Sequence, residues 1–136
     1  MKKVLLITIL PILLFVSCKK DADNSANLTV SEISLSQGLL FFGTNYYYPK
    51  NKKMTVYVDV TKDANVSGTY TFRQSVTGQF GNGPIVSSGT LDNSGTKTKL
   101  SLDFTPTESA IILLEVDVTA GSKTIVKSTS ITVRDH

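Results

Sequence analysis

The sequence predicts an all-β domain, a two-sheet sandwich of about seven to nine antiparallel strands. Three observations lead there. Apolar residues recur at every second place through most of the chain; clusters of Gly, Asn, Asp and Ser interrupt them at short intervals; and no window carries a helical stripe.

The first segment stands apart from that domain. Lys2 and Lys3 precede an uncharged run from Val4 to Val16, and Ser17 leads into Cys18. A charged start and a short apolar run read as a secretory signal, well short of the roughly 20 apolar residues that span a bilayer. The expected boundaries are a signal over 1–17, a lipidated cysteine and polar tether over 18–27, and the β domain over 28–136. Fully extended, the tether reaches about 30 Å.

Leu14-Phe15-Val16-Ser17-Cys18 resembles a bacterial lipobox, with Phe15 departing from its usual aliphatic position. The resemblance implies cleavage before Cys18 and lipid attachment to it. Lys19-Lys20-Asp21-Ala22-Asp23 is similar to the lysine-plus-acid signals that send Bacteroidota lipoproteins to the surface, although Ala22 interrupts the acidic pair. These resemblances imply a lipid anchor in the outer membrane, on the periplasmic face or the cell surface.

Within the domain, Leu28 and Val30 are out of phase with Ile33 and Leu35, which predicts a bulge near Glu32 or a first strand that changes sheets. Met54, Val56, Val58 and Val60 alternate with Thr55, Tyr57, Asp59 and Thr61. Tyr70 and Phe72 form the apolar side of the next strand, and Leu100, Leu102 and Phe104 that of another. Ile112, Leu114, Val116 and Val118 face inward, which places Glu115 and Asp117 outward. Ile125, Ile131 and Val133 oppose Val126, predicting a last strand partly buried on both faces. Asp92-Asn93-Ser94-Gly95, Gly81-Asn82-Gly83-Pro84 and Ala120-Gly121-Ser122 are the expected turns.

Ser109 to Val133, two long alternating stretches around a Gly-containing turn, resembles the closing hairpin of bacterial immunoglobulin-like domains of the polycystic-kidney-disease or fibronectin-III sort. That resemblance implies an immunoglobulin-like sandwich, without the disulfide and tryptophan of antibody domains. Thr55–Val60, Gly68–Gly81 and Ser87–Leu91 are together similar to the TraQ-type lipoproteins of Bacteroidota conjugative transposons. This second resemblance implies an accessory role in conjugative transfer.

Chemistry is sparse. Cys18 is the only cysteine and His136 the only histidine, so a His-based zinc site or a Ser-His-Asp arrangement is not expected. Asp59, Asp103, Glu115 and Asp117 sit at outward positions, where charge keeps a sheet soluble. Fourteen Lys and Arg stand against eleven Asp and Glu, but Lys2 and Lys3 belong to the signal, leaving a nearly neutral domain with no argument for nucleic acid. The expectation is a domain without catalysis, metal or cofactor.

Leu39 to Tyr48 resists a bland reading, because half of the aromatic residues outside the signal lie between Phe41 and Tyr48. Gly43-Thr44-Asn45 suits a tight turn, so the segment predicts an aromatic hairpin. A period-two strand buries alternate members only. Phe41, Tyr46, Tyr47 and Tyr48, with Phe80 on a Gly-flanked loop, are therefore the candidate binding residues. Against this stands a cover for a sheet edge, with the tyrosines shielding backbone groups. The functional expectation is protein interaction or assembly in an envelope complex; glycan binding through exposed aromatics is the alternative.

Overall fold

Alternating apolar positions over 54–60 and 112–118 require two apolar faces that meet, and the computed structural model supplies them as two packed sheets. The structure describes residues 26–36, 40–42, 45–76 and 83–135; Cys18, Phe80 and His136 lie outside the described residues. Those residues form β1 (Thr29–Val30), β2 (Ser34–Leu35), β3 (Leu40–Phe42), β4 (Asn45–Pro49), β5 (Met54–Thr61), β6 (Gly68–Ser75), β7 (Ile85–Leu91), β8 (Lys97–Phe104), β9 (Ile111–Ala120) and β10 (Lys123–Arg134).

In the smaller sheet β5 pairs with β1 and β2 on one side and with β8 on the other. The larger sheet runs β3-β4-β10-β9-β6-β7. Consecutive long strands cross between the sheets, from β5 to β6, β7 to β8 and β8 to β9, as in an immunoglobulin-like sandwich. The expected two-sheet all-β sandwich is present, with two details beyond the expected set of about seven to nine antiparallel strands. There are ten strands among the described residues, and β4 runs parallel to β10, with Tyr48 beside Val133 and Pro49 beside Arg134.

The extra count comes partly from the first edge. Val30 faces Val60 while Ser34 faces Tyr57, so β1 and β2 are two halves of one edge separated by a one-residue bulge. Ser31 fills the break: its N–H donates to Asp59 O at 2.9 Å, and its Oγ accepts from Asp59 N–H at 2.9 Å. The phase change between Val30 and Ile33 is therefore the bulge expected near Glu32.

Leu28, Val56, Val58, Val60, Phe72, Leu114, Val116, Val118 and Val133 are all but inaccessible and form one core. Tyr70 meets Phe72 edge-on at 5.9 Å and lies over Gly89, where an added Cβ would stand 2.8 Å from the phenol oxygen. The strand buried on both faces is β9, not β10. Five consecutive residues from Ile112 to Val116 are buried on β9, whereas Val126 is 53% exposed. The reason is lateral position: β9 lies inside the larger sheet between β6 and β10. Glu115 corrects the expected outward charge for the same reason, being only 8% exposed between Arg73 and Ser128 on the neighbouring strands.

Turns close one end of the sandwich. Gly121 has φ 59° at the first position of the two-residue link between β9 and β10, which matches a type II′ hairpin. Asp92 Oδ1 accepts from Ser94 N–H at 2.9 Å, tightening the link between β7 and β8. Lys62, 3% exposed, ties this link to the one after β5: its Nζ donates to Gly95 O at 3.0 Å and to Asp63 O at 3.3 Å. Asn27 donates from its N–H and its side-chain amide to Asp63, at 2.9 and 3.1 Å, and Ala26 is buried. Ala26 and Asn27, expected in the tether ahead of Leu28, are thus held against the packed body.

These contacts give the sandwich two distinct ends. The chain enters beside the end of β5, because Thr29 faces Thr61, and the links 62–67, 92–96 and 121–122 share that near end. At the far end lie the finish of β4, β6, β8 and β10 and the start of β5, β7 and β9. The twelve residues of β10 carry the backbone about 40 Å between them, at roughly 3.4 Å per residue.

Phe72→Ala should lower the unfolding free energy by about 3–5 kcal/mol in urea titration, and Val126→Ala by less than about 0.5 kcal/mol. Equal losses would contradict the assignment of inner and outer faces.

Candidate functional site

The aromatic segment folds as the predicted hairpin, with β3 antiparallel to β4 and Phe41 facing Tyr46 in the backbone register. The side chains of Phe41 and Tyr46, like Phe80 and Cys18, lie outside the described residues. The tyrosines that follow part ways. Tyr48 is 6% exposed, and burial pushes its phenol pKa above the ordinary 10.0. This corrects its assignment as an exposed binding residue: pairing with β10 beside the buried Val133 turns it into the core. Tyr47, one residue earlier, is half-buried, and the Arg134 guanidinium sits over its ring at 4.5 Å from the centroid.

Arg134 belongs to a small polar network at the far end. Its carbonyl accepts from Lys50 N–H at 2.9 Å, so β10 holds the chain just after β4. Lys50 Nζ lies 3.1 Å from Asp135 Oδ1, and Ser109 Oγ donates to Asp135 Oδ2 at 3.1 Å. The hydrogen bond from Lys50, then that from Ser109 and the Lys50 charge, hold the Asp135 carboxyl below the usual 3.8. Asn51, at φ 60°, donates its N–H to Pro106 O at 2.8 Å and anchors the following loop. Beside this network is an open groove of about 550 Å³, bordered by Ser109, Ile111, Thr132, Arg134 and Asp135.

Ile111 is 59% exposed at that groove. The other exposed large apolar side chains among the described residues are Val76 at 44%, Ile85 at 57%, Val86 at 43% and Val126. All but Val126 lie at the far end, where β6 finishes and β7 and β9 begin. The near end differs in chemistry. Its open cavity of about 690 Å³ is bordered by Ser67, Thr69, Thr90, Asp92, Asn93 and Thr119. Asp92 there is held below 3.8, chiefly by the Ser94 backbone N–H. Among the described residues no group of three or more His, Cys, Asp or Glu is placed to hold a metal.

Sequence reasoning found Tyr47 but missed Arg134, Ile111 and the corner of Val76, Ile85 and Val86. Arg134 is 87 positions from Tyr47, and only the parallel pairing brings them together. A signal for the rest was present: adjacent apolar pairs, Ile85-Val86 and Ile111-Ile112, cannot both face one core in a period-two strand.

The fold and this surface define an immunoglobulin-like all-β domain with an apolar, Arg- and Tyr-bearing end. No known family's sequence profile matches the chain, and no curated protein matches it. Among solved structures it is similar to the CARDB domain of a Pyrococcus furiosus protein, determined in complex with di-metal ions. The two share 17% identity and a TM-score of 0.58 over 82% of this chain and 96% of that one. At that identity the likeness establishes the fold.

Tyr48 gives this end a pH signature. An unfolded tyrosine ionises near 10.0 while the folded one ionises later, so stability holds below pH 10 and falls as pH rises beyond it. Urea unfolding from about pH 9 to pH 11 should show a shallower decline for Tyr48→Phe than for the natural chain. Identical slopes would contradict the burial of Tyr48.

Proposed function

We propose that this protein is a non-catalytic, lipid-anchored envelope module that docks another protein with the far end of its sandwich. One observation carries the reading: exposed apolar side chains gather at the end opposite the point where the chain enters the fold. A lipid on Cys18 would place the near end toward the membrane and present Ile111, Arg134 and the β6–β7 corner away from it. Tyr and Arg are the side chains that concentrate binding energy in protein interfaces, and charge around an apolar centre suits such an interface. The Arg134 guanidinium stacks on the half-buried Tyr47 ring and leaves less of it open to a sugar, which favours a protein over a glycan as the ligand. A conjugative-transfer apparatus, which the resemblance of the Thr55 to Leu91 stretches to TraQ-type lipoproteins implies, is an assembly such a module would serve.

The anchor is tested by Cys18→Ser, which should move the protein from the detergent-rich to the aqueous phase on partitioning. Retention in the detergent phase would remove the anchor from the account. The docking surface is tested by crosslinking in native cells. Ile111→Asp with Arg134→Ala should abolish a specific envelope crosslink, whereas Val126→Asp should spare it. A crosslink indifferent to the first pair and lost with Val126→Asp would move the interface to the flank of the sheet.

A further inference from the structure

We propose that the outer side of β7 accepts an extended strand from the docked protein, adding a seventh strand to the larger sheet. The inference rests on the docking reading above and names how the partner is held. β7 is the last strand in its sheet, and among the described residues nothing pairs with its outer side. Gln74 N–H donates to Pro84 O at 3.2 Å, which sets the phase of the β6–β7 ladder. Backbone groups alternate in direction along a strand, so Ser87, Gly89 and Leu91 address β6 through Phe72, Tyr70 and Gly68. Ser88 and Thr90, both exposed, turn their N–H and C=O groups outward. Such a row specifies its own ligand, an extended backbone.

The two long edge strands differ in how that liability is handled. β8 carries Lys97, Lys99 and Asp103, the charges that discourage edge pairing. β7 has no charged residue and no proline in its seven positions. The register shift between Phe72 and Arg73 touches only its start and leaves Ser87 to Leu91 in regular pairing. At that start the exposed Ile85 and Val86, with Val76 across the corner, offer apolar contacts. The strand that fits is therefore uncharged, with apolar side chains where it passes the far end.

A second copy of this chain fits less well. Two copies of β7 paired antiparallel about a two-fold axis would point their near ends in opposite directions. With β10 about 40 Å long, both tethers could not then rise from one membrane with the far ends outward. A strand from a different protein has no such restriction.

The test uses the full-length protein in isolated native envelopes, with Ser88→Cys, Lys99→Cys or Ile111→Cys carrying a short thiol-attached photocrosslinker and the unsubstituted chain as control. Ser88→Cys should yield a heterologous adduct about tenfold above Lys99→Cys, its crosslinked segment mapping to a run of about six or more uncharged residues. Adding Thr90→Pro removes one outward N–H and spares the β6 ladder, so it should lower that yield about tenfold while the Ile111→Cys adduct persists. An adduct of twice the chain's own mass, one mapping to a charged segment, or one unaffected by Thr90→Pro would overturn strand addition. An adduct from Ile111→Cys with none from Ser88→Cys would overturn it too but leave the docking end standing. Adducts from neither position would remove both.

Discussion

The apposition of two valine-bearing strands from different sheets holds the rest of the structure in place. Val56, Val58 and Val60 of β5 and Val116 and Val118 of β9 are at most 2% exposed and belong to one core. Full burial of each such side chain contributes about 1.5–3 kcal/mol. Each strand is flanked by neighbours on both sides, and a slip of one residue in β5 would turn its valines to solvent and Thr55, Asp59 and Thr61 inward. With β5 and β9 fixed, β1 must enter where β5 ends and β10 must leave at the other end. The separation of near and far ends follows from that register.

Polar groups reinforce this arrangement at its boundaries. Lys62 is a buried cation whose hydrogen bonds go to backbone carbonyls, which lashes two links of the near end together. Lys127 pairs with Glu32, joining the larger sheet to the bulged edge of the smaller one. On the outer face of the smaller sheet, Lys99 lies over Tyr57 at 5.0 Å and Lys53 lies 2.7 Å from Asp103. These exposed contacts each contribute little, but they cover the sheet flank that carries β8. β7 carries no charged side chain of its own, and this contrast sets the two long edge strands apart.

Much of the fold was legible because period two is a local signal. The buried faces of β5 and β9 and the inner side of β6 follow directly from alternation, and the turns at Gly121 and Asp92 follow from residue chemistry. Even the bulge showed as a change of phase. The candidate site was legible only in part. Three consecutive tyrosines carry no parity of their own, and only pairing with β10 buries Tyr48 and sets Tyr47 under Arg134. Glu115 looked outward because alternation says nothing of what flanks a strand. Ala26 and Asn27 read as tether because a polar, aperiodic segment gives no hint of the Asp63 carboxylate that receives it.

Native-state hydrogen exchange on the purified protein tests the central claim most directly, that a rigid β5–β9 core leaves the β7 edge open. Amides of Val58, Val116 and Val118 should exchange only through global unfolding, while those of Ser88 and Thr90 exchange within about tenfold of an unstructured chain. Strong protection of Ser88 and Thr90 in the isolated protein, or exchange of the β9 amides through local opening, would contradict the account.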